Sequence, residues 1–165
     1  MTIKVGDKLP DATFTVMGPE GPKPVKMAEV FAGKKVALFA VPGAYTPTCH
    51  QQHMPGFMAH LEELKSKGVD EVACTAVNDI FVLDNWSKDT GAAGKILMLA
   101  DGSADFAKAI GLEIDLMARG LGVRSKRYAM LVEDGVVKVL NVDDAPPMHD
   151  KSSAATLCSA MGSRI

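Results

Sequence analysis

Several features that mark common classes of protein are scarce or missing in this 165-residue chain. It has only three cysteines, Cys49, Cys74 and Cys158, and their scattered positions do not fit the disulfide scaffold of a small secreted protein. No Cys-x-x-Cys pair is present, which argues against a dithiol–disulfide oxidoreductase. Because three thiols cannot all pair within one chain, we expect a reducing compartment with reactive or buried thiols.

Excess charge and long apolar runs are also lacking. Eighteen basic residues against twenty acidic ones leave a formal charge of −2, which gives no electrostatic basis for binding nucleic acid or an anionic membrane. No run approaches the roughly 18 apolar residues of a spanning helix, and Met1–Asp7 lacks the apolar core of a signal peptide. We expect a cytoplasmic protein with no membrane or nucleic-acid partner, although an organellar protein whose leader had been removed would look the same.

The remaining composition, with 47% apolar and 23% charged residues, is that of an ordinary globular protein. There is no repeat, low-complexity segment or long linker, so we expect one domain over residues 1–165. Apolar stretches without alternation predict buried strands, and apolar residues at helical spacing predict the helices between them. The predicted strands are Lys35–Val41, Glu71–Val77, Lys95–Ala100, Tyr128–Val132 and Val136–Val142, the last two forming a hairpin through Asp134-Gly135.

Helices are predicted over Thr48–Lys67, with a kink at Pro55, from a cap at Asn78-Asp79 through Trp86, after a cap at Ser103, and over Ser152–Met161. The three prolines of Gly18–Pro24 predict a loop there. Strands that alternate with helices, followed by a hairpin and a last helix, predict an α/β fold of the thioredoxin-like kind. Its central mixed β-sheet is expected to be sandwiched by helices.

The turn Val41–Cys49 follows the first core strand and carries the most informative residues. It places Cys49 in or near the first turn of a helix, where unpaired amides and their partial positive charge stabilise a thiolate. Ligands of α/β proteins gather at the carboxyl ends of strands, and Gly43 allows the backbone to approach one closely. Thr46 can point its hydroxyl to the same side. The alternative is that Cys49 is a small buried residue and Thr46 a plain helix cap.

The sequence of this turn, Pro-Gly-Ala-Tyr-Thr-Pro-Thr-Cys at 42–49, resembles the Pro-x-x-x-Thr/Ser-x-x-Cys signature of the peroxiredoxins. Together with His-x-Pro-Gly at 53–56, it is similar to the type II or peroxiredoxin-5 branch. The resemblance continues through residues 68–69, 77–79, 124–132 and 134–138 and covers about residues 3 to 161. Several separated motifs in the same order make the resemblance specific.

The resemblance implies a thiol-dependent peroxidase without metal, haem or flavin, and therefore without a cofactor. Such an enzyme reduces hydrogen peroxide and small alkyl hydroperoxides and serves antioxidant defence and redox homeostasis. Cys49 would be the peroxidatic nucleophile, whose thiolate attacks one peroxide oxygen and becomes a sulfenic acid. Thr46 would hydrogen-bond the peroxide, and Pro42 would shield the thiolate from water.

The same resemblance assigns the remaining site residues. Arg127 matches the catalytic arginine, which stabilises the charge that develops on the leaving oxygen. Arg124, three residues earlier, is the competing choice. Gly43 and Thr48 would contribute backbone to the substrate site, with the amides of Thr48 and Cys49 as further donors to the developing charge.

How the sulfenic acid is reduced is left open by the sequence. Cys74 matches a cysteine of plant-like type II members and is a possible resolving residue, but it fits a buried strand equally well. Cys158 is expected to be buried in the last helix, and the loop before that helix lacks the resolving cysteine of animal peroxiredoxin-5. We therefore expect an external thiol, from glutaredoxin, glutathione or thioredoxin. The resemblance also implies a homodimer that pairs around Tyr45 and residues 78–82.

Other interpretations of these residues are weaker. The helical spacing of His50 and His53 could hold a metal, but with no further ligand nearby both are expected to face solvent or an interface. A Cys–His protease would use His149 with Cys49, yet the proline-braced turn does not fit that class. A non-catalytic thioredoxin-like binding module remains the second hypothesis, and a transferase or reductase with a Cys49 nucleophile the third.

Overall fold

A computed structural model describes residues 2–145 and 148–161 and has a seven-stranded sheet at its centre. The strands in chain order are β1 (Thr13–Gly18), β2 (Gly21–Lys26), β3 (Lys35–Ala40), β4 (Glu71–Ala76), β5 (Leu97–Ala100), β6 (Glu113–Leu116), β7 (Gly122–Ser125), β8 (Tyr128–Glu133) and β9 (Val136–Val142). The α-helices are α1 (Met27–Phe31), α2 (Met54–Ala59), α3 (Leu61–Ser66), α4 (Ile80–Asp89), α5 (Asp105–Ala109) and α6 (Ala154–Met161). Cys49–His53 forms a π-helix and Met117–Arg119 a short 3₁₀ helix.

The strand order across the sheet is β2-β1-β5-β4-β3-β8-β9, and β6 pairs with β7 in a separate hairpin. The neighbouring strands β3, β4 and β5 run parallel, and the other pairs in the sheet are antiparallel. The predicted α/β fold with a mixed central sheet is confirmed. The predicted hairpin is present too, because Asp134 and Gly135 have φ of 49° and 78°, the left-handed backbone that a tight two-residue turn requires.

Both faces of the sheet are covered, which explains why its central strands lack alternation. Along β3, Ala37 and Phe39 belong to one apolar core, whereas Val36, Leu38 and Ala40 belong to the other. The first core also holds side chains of α2, α3, α4 and α6, and the second holds side chains of α1 and α5. Because β3 is central and parallel to β4, its carboxyl end presents the turn that follows it at one edge of a rigid layer.

The loop predicted over Gly18–Pro24 is wrong. This segment turns back on itself, and its second half belongs to β2, in which Pro22 pairs with Met17 and Pro24 with Thr15. Because β2 is the outermost strand of the sheet, prolines there remove no hydrogen bond to a further strand.

Two helix predictions also need correction. The helix predicted over Thr48–Lys67 is divided into the π-helix, α2 and α3, with Pro55 in the first turn of α2 and the break at His60. The cap predicted at Ser103 is not formed. Instead the carboxylate of Asp101 accepts hydrogen bonds of 3.0 and 2.9 Å from the amides of Phe106 and Ala107 in α5.

Candidate active site

The turn between β3 and the π-helix is fixed by hydrogen bonds of its own and by one from outside. The carbonyl oxygen of Gly43 accepts the hydroxyl of Thr46 at 2.6 Å and its amide at 3.3 Å. The side chain of Asn78, just after β4, accepts the amide of Ala44 at 3.0 Å. This arrangement orients the first helical turn, in which Cys49 is fully buried.

The outer side of the same turn is attached to α4. The indole of Trp86 donates a 2.9 Å hydrogen bond to Nδ1 of His50, and the Tyr45 hydroxyl donates one of 2.5 Å to Asp89. The rings of Tyr45 and His50 stack with their centroids 5.7 Å apart. Tyr45 adopts a positive φ of 66° and is 46% exposed. Two side chains of one helix therefore brace the residues on both sides of Cys49.

Arg127 contacts the sulfur of Cys49 directly. Its Nη2 atom lies 3.0 Å from Sγ, and the arginine, immediately before β8, is only 2% exposed. A guanidinium remains protonated in proteins and stabilises an anion that it contacts in a buried environment. The sequence therefore identified two residues, 78 positions apart, that the fold brings into contact.

His53 contacts the other end of this guanidinium. Nδ1 of His53 lies 3.1 Å from Nη1 of Arg127, and Nε2 lies 2.9 Å from the carbonyl oxygen of Ser152. Because the guanidinium can only donate and the carbonyl can only accept, the neutral imidazole carries its proton on Nε2. Burial, together with the charge of Arg127, holds the pKa of His53 well below its usual range. The expectation that His53 faces solvent or an interface is wrong, since its side chain is fully buried.

The loop after β9 holds Ser152, whose carbonyl oxygen bonds His53, in place. Asp143 accepts hydrogen bonds from the hydroxyl of Ser152 and from the amides of Asp150, Lys151 and Ser152. The amide of Asp143 in turn donates a 3.0 Å hydrogen bond to the carbonyl oxygen of Arg127. Burial would raise the pKa of Asp143, but the bonds that it accepts lower it, so the carboxylate stays charged.

Arg124, the competing arginine, serves the backbone of the turn. Its Nε donates to the carbonyl oxygen of Leu121 at 2.7 Å, and its Nη1 donates to that of Pro42 at 3.3 Å. A Cβ atom on Gly43 would approach Nη1 of Arg124 to 2.9 Å and the Thr46 methyl carbon to 3.1 Å. Glycine is therefore the residue that lets the turn and this arginine pack together.

A pocket of about 210 Å³ opens beside the turn. Its lining residues are Pro42, Thr46, Pro47, Thr48, Leu116, Arg119, Leu121 and Arg127. The lining combines apolar prolines and leucines with the polar residues Thr46, Thr48, Arg119 and Arg127. The structure thus brings the predicted residues Pro42, Thr46, Thr48 and Arg127 to one cavity, and Gly43 lies beside Thr46 at its border.

Cys74 and Cys158 are both buried away from solvent. Cys74 lies within β4, paired with Phe39 on one side and Met98 on the other, and burial raises its pKa well above the usual range. Burial beside Glu63 raises the pKa of Cys158 in α6 to about 11. Burial of Cys158 was predicted and is confirmed. Both thiols are therefore protonated and enclosed at neutral pH.

Sequence reasoning missed the functional contacts of His53 and Asn78. The signal for His53 was its position four residues after Cys49, which places two helical side chains on one side. Nothing in the sequence indicated the contact between Asn78 and the turn, which depends on the adjacency of β3 and β4. In the part of the chain that the structure describes, no group of three or more His, Cys, Asp or Glu residues is arranged to hold a metal ion. Among those same residues, no helix is both long and apolar enough to cross a membrane.

The Redoxin family model matches residues 4–158 of the chain. Peroxiredoxin-2E, a chloroplastic protein of Arabidopsis thaliana, is 49% identical over 156 residues, which are 92% of this chain and 67% of the relative. The chain is a peroxiredoxin.

Solved structures show the same relationship for this peroxiredoxin. The reduced Prx3 of Vibrio vulnificus, in complex with hydrogen peroxide, is 48% identical with a TM-score of 0.92, and the match covers 97% of this chain and 99% of that one. Peroxiredoxin 5 of Alvinella pompejana is 33% identical with a TM-score of 0.84, covering 96% and 97% of the two chains. The predicted resemblance to the type II and peroxiredoxin-5 branch is confirmed, and the peroxiredoxin is a thiol peroxidase by family.

Proposed function

We propose that this peroxiredoxin reduces hydrogen peroxide and small alkyl hydroperoxides with Cys49 as its nucleophile. The observation that supports this most strongly is the 3.0 Å contact between the Arg127 guanidinium and the buried sulfur of Cys49. The Cys49 thiolate attacks the hydroxyl oxygen of the hydroperoxide, a sulfur–oxygen bond forms, and the oxygen–oxygen bond breaks. Cysteine is oxidised to sulfenic acid, and the leaving oxygen takes up a proton to become water or an alcohol.

Arg127 has the position from which to stabilise this reaction. Negative charge moves from sulfur to the leaving oxygen as the bond breaks, and the fixed guanidinium of Arg127, which lines the pocket, remains close to it throughout. Because Arg127 is held before it meets the substrate, no reorganisation of the charge is needed during the reaction. Amides of Thr48 and Cys49 in the first helical turn add to the same field. Arg124 donates to the backbone carbonyl oxygens of Leu121 and Pro42 and holds the turn instead.

Thr46 orients the substrate by accepting a hydrogen bond. Its hydroxyl proton is donated to Gly43, so only the lone pairs of Oγ1 are directed to a ligand. An alkyl hydroperoxide has one hydroxyl proton, and its donation to Thr46 selects the oxygen that faces Cys49. Hydrogen peroxide can donate either of its two equivalent protons in the same way. Pro42, buried beside the turn, limits the access of water to the thiolate. The apolar walls of the pocket suit a small alkyl group as well as hydrogen peroxide.

We also propose that an external thiol, from glutaredoxin, glutathione or thioredoxin, reduces the sulfenic acid. The support is the burial of Cys74, whose thiol is enclosed in a central strand and protonated. Resolution by Cys74 would first require the π-helix or β4 to unfold locally. Cys158 lies in α6 beside Glu63 of α3, and its buried thiol is protonated as well, since its pKa is raised to about 11.

A homodimer is the assembly that we propose, paired through Tyr45 and residues 78–82. Tyr45 and Phe81 are 46% and 59% exposed, and large apolar side chains at the surface often mark a contact with another protein. Sedimentation velocity would test it, with Phe81→Glu expected to dissociate the dimer and Met117→Glu, at another exposed position, expected to leave it intact. A monomer in the unmodified protein would contradict the proposal.

The proposal also covers domain organisation, physiological role and cellular location. We propose that residues 1–165 form one thioredoxin-like domain, since the family match spans most of them. We propose antioxidant defence and redox homeostasis as the role of the peroxidase. A cytoplasmic location stays a prediction. The relative Peroxiredoxin-2E is named as chloroplastic, so a chloroplast location is the alternative.

The decisive experiment adds one equivalent of hydrogen peroxide to the fully reduced protein and follows intact mass and free thiols from milliseconds to minutes. We expect rapid oxidation that requires Cys49, with the mass of one added oxygen rather than the loss of two hydrogens. Cys49→Ser should not react. A reaction as slow as that of free cysteine would contradict the peroxidase and favour the non-catalytic binding module.

A further inference from the structure

The guanidinium of Arg127 contacts the reacting sulfur with one nitrogen and an imidazole with another. Nη2 contacts the sulfur of Cys49 at 3.0 Å, and Nη1 contacts Nδ1 of His53 at 3.1 Å. A guanidinium is planar, so two contacts at two different nitrogens fix its rotation as well as its position. The imidazole therefore helps to set the direction of Nη1.

His53 is itself held in one orientation and one tautomer. Its Nε2–H donates to the carbonyl oxygen of Ser152, and Ser152 is held by the carboxylate of Asp143. On its faces the ring contacts Phe39, Phe57 and His149, with centroids 4.9, 5.6 and 4.8 Å away. An acceptor that neither rotates nor changes tautomer gives Arg127 a single resting orientation.

We propose that His53 is a positioning residue for peroxide reduction, whose Nδ1 lone pair orients the Arg127 guanidinium toward Cys49 and the breaking oxygen–oxygen bond. The imidazole does not contact the peroxide and exchanges no proton during the step. It accepts one hydrogen bond from Arg127. Its other nitrogen donates to Ser152, so the loop after β9 fixes the ring that orients Arg127. This inference rests on the proposed role of Arg127 in the peroxidase reaction.

The imidazole is also suited to this role by its charge. A protonated His53 would have a donor on each nitrogen and would repel the guanidinium, so the hydrogen bond exists only with the neutral ring. Burial and the nearby Arg127 and His149 keep the pKa of His53 well below its usual range, which keeps the acceptor available at neutral pH. The charged groups around it are the guanidinium on one side and, beyond Ser152, the carboxylate of Asp143.

Two substitutions separate an orienting acceptor from a packing side chain. In His53→Asn the amide oxygen stands near the position of Nδ1 and accepts from Arg127, but much of the ring volume is lost. In His53→Leu the buried apolar volume is better preserved, and no acceptor remains. If His53 only fills space, His53→Leu should be both more stable and faster to react than His53→Asn. If His53 orients Arg127, His53→Leu should be at least as stable but slower to react than His53→Asn.

The test measures the second-order rate of Cys49 oxidation by hydrogen peroxide in stopped-flow experiments, next to unfolding by urea. We expect His53→Asn to react about tenfold or more faster than His53→Leu, although His53→Leu is at least as stable. His53→Leu that reacts as fast as His53→Asn, or faster, overturns the proposal. If His53→Leu does not fold, His53→Met replaces it as the variant without an acceptor.

Alkylation by iodoacetamide at pH 9.5 provides the second readout, because that reaction breaks no oxygen–oxygen bond. We expect alkylation of Cys49 in both variants to stay within about threefold of the unmodified protein, since the guanidinium acts on the peroxide transition state. Alkylation that falls in parallel with the peroxide rate means a disordered site and overturns the proposal. Failure of the unmodified protein to reduce peroxide would instead contradict the proposed function itself.

Discussion

The indole of Trp86 donates a 2.9 Å hydrogen bond to the imidazole of His50, the residue directly after Cys49. This contact connects α4 with the first turn of the π-helix. Trp86 is the one tryptophan in the sequence and is fully buried, so its emission has a single source next to the reacting sulfur. A movement of the turn that displaces His50 relative to α4 would lengthen this bond.

Tryptophan fluorescence is therefore expected to report oxidation of Cys49. Addition of hydrogen peroxide to the reduced protein should change the emission at the rate at which free thiol disappears. Cys49→Ser should show no change, and Trp86→Phe should lose the signal while still consuming peroxide. An emission change of equal size in Cys49→Ser would mean that the indole responds to something other than the sulfenic acid.

Replacement of the two arginines should separate their roles. Arg127→Ala removes the guanidinium that contacts the sulfur, and we expect a loss of roughly 2–4 kcal/mol of transition-state stabilisation, about thirtyfold to a thousandfold in kcat/KM. Arg124→Ala should cost less, since its bonds go to the backbone carbonyls of Leu121 and Pro42. Steady-state peroxide reduction with excess thiol measures both. A larger loss in Arg124→Ala would reverse the assignment.

Removal of the Thr46 hydroxyl should slow peroxide reduction even when the shape of the side chain is kept. Thr46→Val keeps the shape of the side chain but loses both the bond to Gly43 and the acceptor for the peroxide, and we expect about a tenfold lower kcat/KM. Thr46→Ser restores the hydroxyl and should recover most of the rate. Equal rates for the Val and Ser variants would show that the hydroxyl does not contact the substrate.

Thiol labelling should distinguish the three cysteines by their acidity. Because the pKa of Cys158 is raised to about 11, only about one in a thousand of its thiols is ionised at pH 8, and burial protects Cys74 in the same sense. Native Cys49→Ser should therefore resist iodoacetamide at pH 8 and become reactive after unfolding. Cys158→Ser should keep nearly full peroxidase activity with an external thiol. Collapse of activity in that variant would make Cys158 the resolving residue.

The stability of the protein should fall in mildly acidic solution because of His53. The pKa of this histidine is lower in the folded chain than its unfolded value of about 6.5, so the unfolded chain binds more protons below that pH. Its contribution is complete above pH 6.5 and is lost as the pH falls toward the folded pKa, by at most about 1.4 kcal/mol per pH unit. Urea unfolding between pH 7 and pH 5 measures the slope.

A variant with no imidazole at position 53 provides the control for this slope. His53→Asn should show a shallower dependence of the unfolding free energy on pH than the unmodified protein. Some slope will remain, because burial and Arg127 also lower the pKa of His149. An unchanged slope in His53→Asn would assign the acid sensitivity to other groups.

Prediction from the sequence succeeded where local pattern and motif carry the information. The apolar strands β3 and β4 and the Asp134-Gly135 turn follow from residue order, and the motif pointed to Cys49 and Arg127. It failed at β2, because prolines in an outermost strand look like a loop until the strand order is known. It also failed at His53, whose orientation depends on Ser152 from the far end of the chain.

The prolines of β2 have a consequence for how molecules of this protein meet. Positions 22 and 24 have no amide hydrogen, so a strand from a neighbouring molecule would find two donors missing along that rim. Growth of the sheet from molecule to molecule is thus discouraged at one of its two ends. A protein that must expose a reactive sulfur to oxidants in every cycle gains from this protection, since a partly opened molecule then has one fewer route into insoluble aggregates.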